Sequence, residues 1–328
     1  MKFWTLLPTQ FAHDVAPIGI RGLSKFMPKE APEWNPLQWR GLHFPNRLGL
    51  AGGADKNGAC AKAWPRLGVG FMELGTVTPL AQGPNPGTII KRDMENEALW
   101  NKMGFPNHGL QSLIKNLKAL KERPVPIFIN IGKNRNTPNE SADNDYITCL
   151  RGVYNFCDGI VVNISSPNTK GLRELQTEDY LKRFIENILN SRPSLGEANE
   201  KPVLIKFSPD EEEENFLKMI DLTHSCGVDG WVLTNTTLSR APQLSFPTEG
   251  GVSGAPLKDL SRQKLKLAAD HLGQRKGDKL IVSVGGIMDE HDIRWRLANG
   301  ADLVEVYSAL VVKGPWFFQD MAKALNKN

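Results

Sequence analysis

Eight short apolar runs, each closing on a polar or glycine-rich tip, constrain this chain more than any other feature. They are RLGLAGG (47–53), GFMELGTVT (70–78), PIFINIG (126–132), GIVVNIS (159–165), VLIKFSP (203–209), GWVLTNT (230–236), LIVSVGG (280–286) and LVEVYSA (303–309). Several are apolar almost throughout, the pattern of strands covered on both faces. The gaps between them are long enough for helices. DYLKRFIENILNS, EEENFLKMIDLTHSCG and LKDLSRQKLKLAADHLG carry apolar residues at spacings of three and four, and the latter two end on Cys-Gly and Leu-Gly, which suit helix C-caps. Eight strand–helix units over 328 residues predict an α/β fold of the (β/α)8 TIM-barrel type. The expected division is a helical extension over 1–40 and a barrel over 41–328. An open doubly wound sheet is the alternative, but no GxGxxG follows a strand and opens a helix.

Composition narrows the function classes. With 40% hydrophobic and 23% charged residues the chain reads as globular, with no run of about 18 uninterrupted apolar residues to cross a membrane. Forty basic residues against 36 acidic ones leave too weak an excess to argue for nucleic acid. Cys60, Cys149, Cys157 and Cys226 show no CxxC spacing, and the histidines no HExxH, so neither a disulfide framework nor a metal site is expected. The first 29 residues lack the apolar core and cleavage site of a secretory signal. They mix Phe11, Val15, Ile18, Ile20, Leu23 and Phe26 with Arg21, Lys25 and Lys29, and Pro8 and Pro17 are expected to divide them into short helices. Such a segment is either a cap packed on the main domain or an amphipathic foot on a membrane surface.

In a barrel the C-terminal strand ends converge on one rim, where active sites are built. Here those ends offer Gly52-Gly53 with Asp55-Lys56, Thr76, Asn130, Asn163 with Ser165-Ser166, Lys206, Thr234-Asn235, Gly285-Gly286 and Tyr307-Ser308. Each alone could be turn chemistry; the set points to a shared site. Gly285-Gly286 and Tyr307-Ser308 follow the seventh and eighth strands, where barrels commonly bind phosphate, and Gly250-Gly251-Val252-Ser253-Gly254 offers a second close-approach loop. Lys56 and Lys206 need an anion if they point inward, whether a ligand or a neighbouring carboxylate. Asn101, Asn130, Asn163, Asn168 and Asn235 together match the alternating donors and acceptors of a cyclic amide or imide. No histidine stands at a strand end, which leaves Ser165, Ser166 and Thr169 as candidates to move a proton in a closed site.

The segments LAGGADKNG, ELGTVTP, NKMGF, INIGKN, VNISSPNTKGLR, LIKFSPD, TNTT, GGVSGAPL, SVGGI and VYSALVVKGP, taken in order, resemble the dihydroorotate dehydrogenase family over nearly the whole chain. The resemblance implies an FMN-binding barrel that oxidises dihydroorotate to orotate in pyrimidine synthesis. It implies Ser166 as the base at C5 while hydride leaves C6 for flavin N5. Class 1 members use cysteine as base; the serine here resembles the quinone-dependent class 2 branch. By position, Lys56, Asn101, Lys102, Met103, Gly104, Phe105, Asn163, Asn168, Asn235 and Thr236 resemble the substrate site. Gly52, Gly53, Ala54, Asp55, Lys56, Thr76, Asn130, Asn163, Lys206, Thr234, Gly254, Gly286, Tyr307 and Ser308 resemble the flavin site, with Lys206 set to stabilise negative charge on the reduced ring. Thr169 and Phe105 resemble a proton exit path, and Arg173, which follows the loop, is either a group that helps it close as a lid or a surface arginine. LPTQFAHDVA resembles the class 2 quinone tunnel, with His13 and Arg92 as its polar groups. The implied partners are dihydroorotate or orotate, a membrane quinone and a membrane surface touched peripherally, with no nucleic acid and a monomer or weak dimer. The implied location is the cytoplasmic face of a bacterial inner membrane, or the mitochondrial inner membrane if a targeting segment was removed. A dihydrouridine synthase, the nearest flavin-barrel alternative, would need a cysteine acid and a basic RNA surface that the sequence lacks. A ligand-binding barrel without turnover would have no use for the base.

Overall fold

The computed structural model describes residues 7–169, 172, 178–193 and 200–326. Eight parallel strands close into a barrel in the order β3 (Leu48–Leu50), β4 (Phe71–Val77), β7 (Ile127–Ile131), β8 (Gly159–Asn163), β9 (Val203–Phe207), β10 (Gly230–Leu233), β12 (Leu280–Val284) and β13 (Leu303–Val306), which pairs back with β3. All eight apolar runs therefore supply a barrel strand. Around them lie α2 (Leu110–Lys118), α3 (Ala142–Val153), α4 (Glu178–Asn190), α5 (Glu213–Ser225), α6 (Lys258–Leu272), α7 (Glu290–Ala298), α8 (Ser308–Lys313) and α9 (Phe317–Leu325). Their apolar faces cover the outer strand positions in one continuous core.

The barrel interior is layered, and the two-residue period of a strand explains the layers. A hairpin of β1 (Leu37–Trp39) and β2 (Leu42–Phe44) seals the N-terminal mouth and inserts Phe44 against Phe71 and Phe128, with centroids at 5.7 and 6.3 Å. A Cβ on Gly49 would stand 2.4 Å from the Phe71 ring and one on Gly159 2.3 Å from Phe128, so these glycines make room for the rings. Leu204 and Leu303 belong to the same layer. Two residues further along each strand, about 7 Å higher, the same inward face carries Glu73, Asn130, Lys206 and Glu305. A buried polar tier thus rests directly on an aromatic one.

Two features depart from the sequence expectations. The 250–254 stretch is no loop: it forms β11 (Gly251–Gly254), which pairs antiparallel with β6 (Ala98–Asn101), itself paired with β5 (Ile90–Asp93). This side sheet stands over the rim. At the N-terminus, α1 (Thr9–Ser24) begins after Pro8 but runs unbroken through Pro17. Proline in a helix interior forfeits one hydrogen bond and costs about 3 kcal/mol. Here α1 is held by packing on β5 and by hydrogen bonds, Cys60 Sγ to the Pro17 carbonyl at 3.4 Å and Arg92 to the Leu7 carbonyl. Ile20 is buried, whereas Phe11, Ile18 and Phe26 stay exposed. Among the described residues no helix is long and apolar enough to span a membrane.

Candidate active site

The rim tips enclose a cavity with about 1050 Å³ of empty space, its open mouth included. From the sequence-predicted set it brings together Gly52, Gly53, Lys56, Thr76, Asn101, Met103, Gly104, Phe105, Asn130, Asn163, Ser166, Asn168, Lys206, Thr234, Asn235, Thr236, Gly286, Tyr307 and Ser308. Four residues of the predicted substrate and flavin sites do not line it. Asp55 instead holds the first loop, accepting from the Ala59 and Cys60 amides and from Trp64 Nε1 at 2.9, 2.8 and 3.2 Å, and Ala54 belongs to the same turn. Lys102 is turned outward and pairs with Glu249. Gly254 is locked in the β11–β6 ladder, where a Cβ would meet the Glu97 carbonyl at 2.1 Å.

A continuous amide network runs along the wall. Thr76 Oγ1 donates to Asn130 Oδ1 at 2.5 Å, and Asn163 Nδ2 reaches both Thr76 Oγ1 and Asn130 Oδ1 at 3.1 and 3.3 Å. Asn235 Nδ2 donates to Ser165 Oγ at 3.0 Å, and Asn168 Nδ2 to Asn101 Oδ1 at 2.9 Å. The ends of β4, β7, β8 and β10 are thereby tied to one another, and the loop after β8 to Asn101 of β6. Two atoms keep open valences: Asn168 Oδ1 and Thr169 Oγ1 are buried without a hydrogen-bond partner. In a closed site such atoms favour a ligand that completes them.

Ser166 separates from Ser165 by its surroundings. Ser165 Oγ is engaged with Asn163 and Asn235 and does not line the cavity. Ser166 does line it, and its Oγ accepts the Asn168 amide at 3.2 Å. Thr169 is buried next to this loop; Arg173 lies outside the described residues.

The charges are distributed by level. At the mouth, Lys56 Nζ donates to the Gly53 carbonyl at 2.8 Å; burial lowers it to about 8, with Asp55 opposing. On the floor, Lys206 Nζ donates to Glu73 Oε1 at 2.8 Å. Burial pushes that ammonium down, but Glu73 and Glu305 outweigh it and hold the group above the ordinary lysine value. On the far wall, Gly285 and Gly286 take φ of +111° and +71°. Arg296 and the Ser261 hydroxyl both donate to the Gly285 carbonyl, at 2.6 and 2.7 Å, which ties it back into the protein. His13 and Arg92 stand apart from this cavity, on α1 and β5. Burial first, and then the charge of Lys56, lower His13 to about 4. Among the described residues no cluster of three or more His, Cys, Asp or Glu could hold a metal ion.

A sequence model of the family described as Dihydroorotate dehydrogenase matches residues 37–328. The chain belongs to the dihydroorotate dehydrogenase family. Proteins named dihydroorotate dehydrogenase (quinone) from Saccharophagus degradans and Chromobacterium violaceum are 40% and 42% identical, over 92% and 88% of this chain and 89% and 84% of theirs. A crystal structure of DHODH in complex with ferulenol from Eimeria tenella superposes with a TM-score of 0.86 at 30% identity, covering 97% of this chain and 90% of that one.

For a dihydroorotate dehydrogenase barrel, the cavity also contains groups that sequence reasoning passed over. Glu305 lines the floor, Glu73 pairs with Lys206 in the same tier, and Ser253, read from the sequence only as part of the 250–254 loop, accepts the Ser308 hydroxyl at 2.9 Å. The signal was present in FMELGTV and LVEVYSA, where a lone carboxylate interrupts an apolar strand on its inward face. Arg296, fully buried under Gly285, gave no such signal from within α7.

Proposed function

We propose that this protein oxidises dihydroorotate to orotate with FMN as its cofactor and a quinone as final acceptor, as the names of its relatives suggest. The observation that carries the reading is the convergence in one cavity of Ser166, the asparagine network, Lys56 and Lys206. The residues fit FMN. Lys206 provides a cation on the floor, Thr76, Asn130 and Thr234 polar edges, and Gly286 and Ser308 a phosphate cradle that admits no side chain, since a Cβ on Gly286 would stand 2.3 Å from Lys258 Cα. When bound there, FMN supplies the acceptor for the hydride leaving C6 and relays the electrons to quinone.

The chain's own residues do the rest. Lys56 pairs with the substrate carboxylate, and Asn101, Asn163, Asn168 and Asn235 with the alternating edge of the ring. Ser166 Oγ takes the proton from C5. Serine is a weak base in water, so the reading depends on burial of the loop, on an acidified carbon and on onward transfer to Thr169 beside Phe105. The membrane-facing extension is assigned to 1–40, with its exposed Phe11, Ile18 and Phe26 toward lipid and its His13, together with Arg92 of β5, toward quinone. The barrel unit is assigned to 41–328, and the 37–44 hairpin that plugs its mouth straddles the boundary.

The test is anaerobic mixing of the purified yellow protein with dihydroorotate. Bleaching of the flavin is expected, and Ser166→Ala should retain FMN while bleaching some 10²- to 10⁴-fold more slowly. A colourless protein that cannot be reconstituted with FMN, or a serine variant reduced at the parental rate, refutes the assignment.

A further inference from the structure

Glu305 reaches the cavity floor from β13, and no step above uses it. Glu73 approaches from β4, and only the short strand β3 separates the two. That strand and the turn after it contribute Gly49, Ala51 and Gly52 on the way up, small residues that leave the interior open to two long side chains. A Cβ on Gly52 would stand 2.0 Å from Glu73 Oε1. The charged groups acting on Glu305 are Glu73 and, from β9, Lys206. Asn130 on β7 adds a neutral donor to Glu73 Oε1, at 2.6 Å.

One ammonium balances one carboxylate. A second ionised carboxylate, with both acids under 3% exposed, would carry the desolvation cost of an unpaired buried charge. The oxygens lead to the same count. Glu73 Oε1 is saturated by Lys206 and Asn130, while Glu73 Oε2 and Glu305 Oε2 are both buried and receive no donor from any other group, although the two acids lie in hydrogen-bond contact with each other. Ionised carboxylates only accept; one added proton turns an oxygen into a donor toward the neighbouring acid. Burial and then the charge of Glu73 raise Glu305 well above the usual carboxylate range, with Lys206 opposing.

We propose that Glu305 is held as a neutral carboxylic acid whose single proton is shared with Glu73, so that the Glu73–Lys206–Glu305 group carries no net charge. Glu305 is then a positioning residue. By staying neutral it leaves Glu73 as the one counter-charge of Lys206, whose attraction for negative charge in the cavity above is thereby reduced but not reversed. The protonation state belongs to the protein's own groups; only its bearing on the cofactor rests on the proposed function.

Difference infrared spectroscopy distinguishes a protonated carboxyl from a carboxylate by its carbonyl stretch, in protein with or without FMN. The parental protein at neutral pH should show a protonated-carboxyl band that Glu305→Gln lacks. Glu73→Gln should lack it too, because Glu305 is then the only carboxylate beside Lys206 and ionises. Lys206→Met, which removes the cation, should keep it. Absence of the band in the parent, its survival in either glutamine variant or its loss in Lys206→Met overturns the proposal. Should Glu73→Gln fail to fold, the other two variants still decide. Failure of dihydroorotate to bleach the flavin would leave the band untouched, so the two readings fail separately.

Discussion

Lys56 should make ligand affinity depend on pH, with a sign that follows from the structure. In the free protein burial lowers this lysine from 10.5 to about 8, so it loses its proton well within the stable range of most proteins. An anionic ligand such as orotate favours the ammonium and raises its pKa in the complex. Below about pH 8 both free and bound forms hold the proton, and affinity should be flat. Above it, binding must take up a proton, so Kd should rise about tenfold per pH unit until the bound form also titrates. Lys56→Met removes a charge-assisted hydrogen bond of roughly 1.5–3 kcal/mol, a loss of about 10- to 150-fold at neutral pH, and should abolish the slope. The assay is titration of oxidised, FMN-loaded protein with orotate, followed by the flavin absorbance change. A Kd flat from about pH 7 to pH 10, or the same slope in Lys56→Met, would mean that Lys56 does not hold the ligand carboxylate.

Three further outcomes are expected. Gly49→Val, which drives side-chain carbons into the Phe71 ring, should lower unfolding free energy by about 1–3 kcal/mol in a denaturant melt, without a specific effect on the site. Gly286→Ala, strained at φ +71° and clashing with Lys258, should be recovered with less bound FMN, read from the ratio of flavin to protein absorbance. Removal of residues 1–27 should leave reduction by dihydroorotate intact and abolish reoxidation by quinone; unchanged quinone turnover would detach the extension from that role.

Strand-end chemistry was legible because it is local. An apolar run that stops at Thr76, Asn130 or Lys206 marks both a strand and its rim, and the closed barrel then gathers those ends without further instruction. The choice of Ser166 over Ser165 was not local: it depends on Asn235, 70 residues away from Ser165, which engages that hydroxyl. The side sheet was equally hidden. Its strands have four residues each and sit inside long connections, so their pairing with one another, and not their own periodicity, makes them strands. Pro17 misled for a related reason, since propensity describes an isolated helix and α1 is braced by Cys60 and β5.

That side sheet also forms a mechanical path. Its outer strand β5 bears the packing of α1, its middle strand β6 ends in Asn101, and Ile90 at the start of β5 is the register partner of Asn101. On the proposed reading, the strand that bears the membrane-facing helix is thus one ladder rung from an amide assigned to the ligand. A tilt imposed on α1 would therefore bear on Asn101 through a hydrogen-bonded ribbon. By thermodynamic reciprocity, a ligand held at Asn101 would then bear equally on how firmly the helix sits.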